Sequence, residues 1–236
     1  MMDYTLDYAL EKISRYVSDV EILSDGNHSL FFNEENCFSY DLKYAVHAPG
    51  GETNIAVENE RMRKAAMQVV SELVDICDNI GAEILVLHPG FMIRPETRLQ
   101  AERSLQRSLK ELAIIQKECG VNITIENMSD LNFLFFRKPD FLDVLKYLGL
   151  GFTLDVGHAN VNGNLNEFLS EGRPVHVHLH DNISTWDAHD PCGEGNIDFG
   201  SVLGSLPNNA MKIIEVNSFC KFEKSMAHIS NFIPPY

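Results

Sequence analysis

Basic side chains are scarce in this chain of 236 residues: 19 Lys and Arg stand against 34 Asp and Glu, a formal charge of −15 at neutral pH. A surface this acidic repels a polyanion, which counts against general nucleic-acid binding. Paired cysteines are missing too. Cys37, Cys77, Cys119, Cys192 and Cys220 are scattered, odd in number and nowhere arranged as CxxC, which argues against a disulfide framework or thiolate zinc site and fits a reducing cytoplasm. No apolar run approaches the roughly 20 residues that cross a bilayer. The start of the chain carries Asp3, Asp7, Glu11 and Asp19 in place of a signal-peptide core. Nor is there a Gly/Ser linker, a low-complexity tract or a visible repeat. The expectation is a soluble cytoplasmic protein with no membrane partner, folded as one domain over 1–236.

Apolar residues make up 44% and charged residues 22%, an ordinary globular composition. Short β-branched or aliphatic runs alternate with longer amphipathic ones, the pattern of repeated βα units and a parallel sheet. Strands are expected over 20–23, 44–47, 84–88, 123–126, 152–156, 175–180 and 212–216. Helices are expected over 5–17, 56–80, 96–118, 139–148, 165–169, 198–206 and 221–232, with Gly81 and Gly120 as C-caps of the two long ones. The fold class is α/β, a TIM (β/α)8-type barrel, which suits a length of roughly 200–250 residues. It is one strand short, because the first element is a helix and no room for a strand precedes it. Either the barrel is incomplete or irregular at its first strand, or something else fills that edge.

Imidazoles and carboxylates fall where the strands end. His47 closes the second expected strand, His88 the third, Glu126 the fourth; Asp155, His178, His180 and Glu215 lie at or near the ends of the last three. In a βα barrel those ends converge on one face. Ionisable groups gathered there are costly unless paired or metal-bound. Imidazole plus carboxylate, without thiolate, is a ligand set for zinc, manganese or iron. His158 falls one turn beyond Asp155, and Asp187 and His189 stand just ahead of Gly193-Glu-Gly195, which reads as a tight loop rather than a dinucleotide fingerprint. The His88-Pro89-Gly90 turn would present His88 upward.

Other residues have open readings. His176, His178 and His180 share one strand face, where only one need bind metal; His176 is expected as a hydrogen-bonded core residue and His180 as a neighbour of the ligands or of the substrate. Asn127, Asp181 and Asn182 could orient a metal-bound histidine or shape turns. Trp186, the single tryptophan, could stack on a sugar or base or simply pack its loop. Arg94, Arg98, Arg137 and Lys138 are the basic groups nearest the site loops, and thus phosphate candidates or salt-bridge partners. The apolar run 133–136 could be a lid, an oligomer contact or buried.

His47, LHPG at 87–90, IEN at 125–127, LDVGH at 154–158, HLHDN at 178–182, DAHDPCGEGNI at 187–197 and IIEVN at 213–217 form an ordered set. It resembles the xylose-isomerase-like TIM-barrel superfamily and, within it, the endonuclease IV branch (AP endonuclease family 2). The resemblance implies phosphoester hydrolysis with up to three divalent ions, zinc or alternatively manganese. The first ion would take His47, His88 and Glu126; the second Glu126, Asp155, His178 and Glu215; the third His158, Asp187 and His189. Glu126 and Glu215 would be the catalytic carboxylates, with His180, Asn127, Trp186 and Arg94 as candidate substrate contacts. In the sugar isomerase and epimerase branches the second site alone is retained. That leaves a metal-dependent sugar or sugar-phosphate isomerase or epimerase as the alternative, and a non-catalytic barrel with structural metals as a third reading.

Two departures bear on substrate. Where endonuclease IV wedges bulky side chains into DNA, this chain has Ala48-Pro49-Gly50-Gly51-Glu52, and the DNA-gripping segment after the first strand is missing with that strand. Three divalent ions would bring −15 only to −9. A small phosphorylated or sugar substrate is expected before abasic nucleic acid.

Overall fold

Each strand is short and closes on a residue that faces the same end of the molecule. The structure, a computed structural model, describes residues 4–232; the ends of the expected domain, 1–3 and 233–236, lie outside them. The strands are β1 (Asp19–Leu23), β2 (Lys43–His47), β3 (Ile84–Leu87), β4 (Asn122–Glu126), β5 (Gly151–Asp155), β6 (His176–Leu179) and β7 (Met211–Ile214). All pairings are parallel and follow chain order in one seven-stranded sheet. The helices are α1 (Leu6–Ile13), α2 (Leu30–Asn33), α3 (Glu60–Ile80), α4 (Arg98–Ile115), α5 (Leu142–Leu148), α6 (Val156–Val161), α7 (Leu165–Glu171), α8 (Phe199–Ser205) and α9 (Phe219–Ile229).

The sheet curls until β1 and β7 lie alongside each other without a hydrogen-bonded ladder, so the barrel is nearly closed. No eighth strand exists among the described residues. Helices cover the seam instead: Tyr16, just after α1, sets its ring against Phe219 at 5.2 Å and Phe222 at 6.1 Å on α9, and Lys12 Nζ lies 3.8 Å over Phe219.

Side chains of opposite parity on each strand have opposite fates. Val46, Leu85, Leu87, Ile123, Ile125, Phe152, Leu154, Val177 and Leu179 pack outward with the helices in the main apolar core. On the inner face the apolar content shrinks to a small cluster of Ala45, Ile84 and Val86 against Met211. Above it come polar groups: the Thr124 and Thr153 hydroxyls hydrogen-bond at 2.6 Å, and the His and acidic residues follow. The barrel interior therefore has an apolar floor and a polar upper storey.

Expected boundaries move where a side chain captures the backbone. The helix expected from 56 begins only at Glu60, because Asn59 caps it by accepting from the Arg61 and Met62 N–H groups, while Asn54 Oδ1 accepts from Ala56 N and Phe91 N. Gly81 is its left-handed C-cap, at φ +70°. Gly120 is not a C-cap. α4 stops at Ile115, and the Gln116 amide turns the chain by bonding Ile123 N and Val121 O. The run 133–136 is half core: Phe135 and Phe136 are buried and Phe133 is exposed.

Candidate metal centre

The parallel register lines up the strand ends: Glu126 lies opposite Thr153 and Asp155 opposite His178, with His47 ending β2, His88 one residue past β3 and Glu215 one past β7. Gly90 makes the turn after His88 possible. It sits at φ +88°, and a Cβ there would strike the Asn54 carboxamide and Ala56 backbone. Asp155 caps α6, accepting from His158 N at 2.6 Å, and this puts the His158 ring beside the strand ends. The loop bearing Asp187 and His189 is held from beneath by Asp181, whose carboxylate accepts from the N–H groups of Asn182, Gly193, Gly195 and Ile197. A Cβ on Gly195 would collide with that carboxylate. His189 takes a left-handed φ of +46°, and Lys221 Nζ bonds its carbonyl at 2.9 Å.

Glu126 is the hub. Its Oε2 lies 3.1 Å from His47 Nε2 and 3.3 Å from His88 Nε2, and its Oε1 lies 3.2 Å from His158 Nδ1 and 3.5 Å from His178 Nδ1. His178 Nδ1 also stands 3.0 Å from Glu215 Oε2 and 3.7 Å from Asp155 Oδ2. His158 Nε2 meets Asp187 Oδ2 at 2.9 Å, with His189 Nε2 3.4 Å from the same oxygen. Four groups of potential ligand atoms result, each within 4.8 Å: His47, His88, Glu126; Glu126, Asp155, His178, Glu215; His158, His180, Asp187, His189; and, deeper in the barrel, Glu21, His176, His178.

The rings are aimed. One nitrogen of three of them is pinned outside its cluster: His47 Nδ1 on the Ala48 carbonyl at 2.7 Å, His158 Nδ1 on that of Asn127 at 2.9 Å, His189 Nδ1 on that of Glu215 at 3.2 Å. The other nitrogen faces carboxylate oxygens, the arrangement metal-binding histidines adopt. Several buried atoms make no hydrogen bond, among them His180 Nδ1, Asp187 Oδ1, and His178 Nδ1 and Glu215 Oε2, which lie 3.0 Å apart without hydrogen-bond geometry. Unpaired lone pairs at this depth are costly unless a cation meets them, and a nitrogen-and-oxygen donor set suits zinc or manganese. The residues therefore fit divalent ions.

The electrostatics agree. Burial by itself would raise the Glu126 carboxyl, but the imidazoles of His178, His158 and His47 hold it well below the usual carboxylate range. Asp155 is likewise held down against its burial by His158, His180 and His178. Burial pulls the imidazoles down, and the carboxylates overcome it: His47 and His189 rise to about 9, and His158 and His178 rise well above their ordinary value. The site is an ionised carboxylate cage that attracts positive charge.

All nine expected ligands are thus brought together. His180 joins the third group: it is fully buried, its Nε2 lies 3.1 Å from both Asp155 oxygens, and its ring stacks on His189 at 4.0 Å. Burial takes it away from substrate. Asn127 is also removed from substrate contact, because its amide bonds the backbone N and O of Asp155 at 2.8 and 2.9 Å. Arg94 is exposed, away from the cavity-lining residues, and Arg98 pairs with Glu102 in the adjacent helix turn. Trp186 is 62% exposed and lines a cavity of about 870 Å³ that the clusters open into, with His47, His88, Asp187, His189 and Glu215. His176 is buried and hydrogen-bonded, as expected, to Glu21 Oε2 at 2.7 Å. Glu21 itself was not among the sequence candidates. Its signal was a lone carboxylate between Val20 and Ile22, on the inward parity of β1.

A family model described as a xylose isomerase-like TIM barrel matches residues 34–231. An uncharacterized protein of Methanocaldococcus jannaschii is 38% identical over 221 residues, covering 92% of this chain and 88% of that one. A probable endonuclease 4 of Mycobacterium leprae is 30% identical over 190 residues, covering 76% and 73%. Among solved structures, a D-tagatose 3-epimerase-like protein superposes with a TM-score of 0.88 at 28% identity, over 98% of this chain and 94% of that one.

Proposed function

The chain belongs to the xylose isomerase-like TIM-barrel family, and from that premise we propose that it is a divalent-metal-dependent phosphoester hydrolase of the endonuclease IV type, acting on a small phosphorylated molecule. One observation carries the reading: beside the deeper group at Glu21, three ligand groups gather all nine expected ligands, and Glu126 belongs to two of them. A single-ion site would need only the group around Asp155, and would leave His47, His88, His158, Asp187 and His189 gathered for no purpose. Bound zinc or manganese ions would supply Lewis-acid polarisation of the phosphoryl oxygens.

The protein's own part is to hold and orient. Glu126 turns one oxygen toward each of its two groups. Asp187 and His189 line the cavity where a phosphate would sit, with His158 buried behind Asp187. Glu215, with 38% of its side chain exposed, lines the cavity as the proton acceptor, while its buried Oε2 faces His178 Nδ1. The substrate is small because Lys212 is the sole Lys or Arg among the cavity-lining residues, against Asp19, Glu21, Asp25, Asp187 and Glu215; a duplex needs a basic rim.

The second reading, epimerisation or isomerisation of a sugar or sugar phosphate, draws support from the D-tagatose 3-epimerase-like structure and from that acidic lining. Here Glu126 and Glu215 would pass the proton at a single ion held with Asp155 and His178. Parallel assays on zinc- and manganese-loaded protein separate the two. Hydrolysis of bis-p-nitrophenyl phosphate without conversion of D-tagatose is expected; ketose epimerisation without hydrolysis overturns the hydrolase.

A further inference from the structure

Glu21 is an inward-facing carboxylate outside the metal groups that share Glu126, gathered instead with His176 and His178. Its side chain is 7% exposed. Oε2 lies 2.7 Å from His176 Nε2 and 3.2 Å from His178 Nε2, and Oε1 lies 3.1 Å from His178 Nε2. An ionised carboxylate can only accept. Both histidines must therefore donate from Nε2. For His178 that choice leaves Nδ1 as the metal-facing lone pair, and Nδ1 is the buried atom without a hydrogen-bond partner that faces Glu126, Asp155 and Glu215.

We propose that Glu21 is a positioning residue that fixes His178 as its Nε2–H tautomer and so aims Nδ1 at the ion held with Glu126, Asp155 and Glu215. This assignment rests on the metal-binding reading of the site. It explains why a side chain is needed here. His47, His158 and His189 are pinned by backbone carbonyls at strand ends and in loops, whereas His178 lies inside β6, opposite Asp155 and Ile213, where the backbone carbonyls serve the ladder. The pin comes instead from β1 across the barrel interior. His176, also donating to Glu21, keeps that carboxylate from being buried with unmet lone pairs.

The test uses the full chain loaded with zinc and long-range proton–nitrogen spectra of its histidine rings. His178 is expected to carry hydrogen on Nε2 and zinc on Nδ1; the reverse assignment overturns the proposal. In Glu21→Gln the amide NH2 can face His178 Nε2 and favour the opposite tautomer, so zinc competition with a chelator should show one site weakened about 10–100-fold, with the other sites unchanged. Wild-type affinity at every site in that variant removes the role of Glu21 alone. Wild-type protein that binds no zinc removes the metal reading, and this assignment with it. Should Glu21→Gln not fold, the wild-type ring spectrum decides by itself.

Discussion

His88 is the most exposed of the imidazoles around Glu126, with 26% of its side chain accessible, and it touches that carboxylate only through Nε2 at 3.3 Å. Removing it should leave the barrel standing and empty one group. His88→Ala is expected to lose one ion per chain and about 100-fold or more in kcat/KM for phosphodiester hydrolysis, ~2.7 kcal/mol of transition-state stabilisation; unchanged stoichiometry would count against the first group. Asp181 works at the same scale in a different way. Its carboxylate gathers the N–H groups of Asn182, Gly193, Gly195 and Ile197. Asp181→Ala leaves these donors short of an acceptor and should cost about 2–4 kcal/mol in denaturant unfolding. It should also loosen the ion held by Asp187 and His189 in preference to the others.

At the scale of elements, the strand-end residues were legible because a strand has a two-residue period and a barrel has one functional face. Those two facts carry His47, His88, Glu126, Asp155, His178 and Glu215 to a common rim from the sequence alone. What was illegible depends on partners distant in sequence. Asn127 and His180 look like substrate contacts until Asp155 is seen to take up the amide of one and the ring of the other. Glu21 gains its meaning only from His178, 157 residues on. The start of α3 follows the same rule, since Asn54 and Asn59 hold the preceding segment.

Another long-range contact ties α3 to α4. Arg63 is 1% exposed and bonds Glu60 and Ser108, with Glu111 at 2.8 Å. Its acids can still hydrate, so Arg63→Ala should destabilise by about 2 kcal/mol, less than the loss of one partner from a fully buried pair. The hydrogen bonds from Arg63 hold the Glu60 carboxyl at about 2, below its ordinary 4.5. A depressed carboxyl stabilises the fold above its unfolded value and loses that contribution as pH falls. The gap in urea midpoint between wild type and Glu60→Gln should therefore be full above pH 4.5 and narrow as pH falls toward 2. A gap that is constant with pH would show the pair to be inert.

For the whole molecule, the charge of −15 and the nearly closed barrel belong together. Ionised carboxylates are concentrated inside a seven-stranded sheet whose interior has only a small apolar floor, so bound cations should contribute to folding stability as well as to chemistry. Ions at a thousandfold excess over Kd contribute about 4 kcal/mol per site. Stripping with a strong chelator should lower Tm by several degrees, and zinc or manganese should restore it where magnesium at equal concentration does less. On the proposed reading, the same charge should make abasic duplex DNA a poor ligand even with all ions bound, which a binding titration on the zinc-loaded protein checks. The measurement that tests the account most directly is elemental analysis of metal per chain, after zinc saturation and exhaustive dialysis. Close to three ions per chain is the predicted result. A value of one, with phosphoester hydrolysis intact, would contradict the three-ion site built around Glu126.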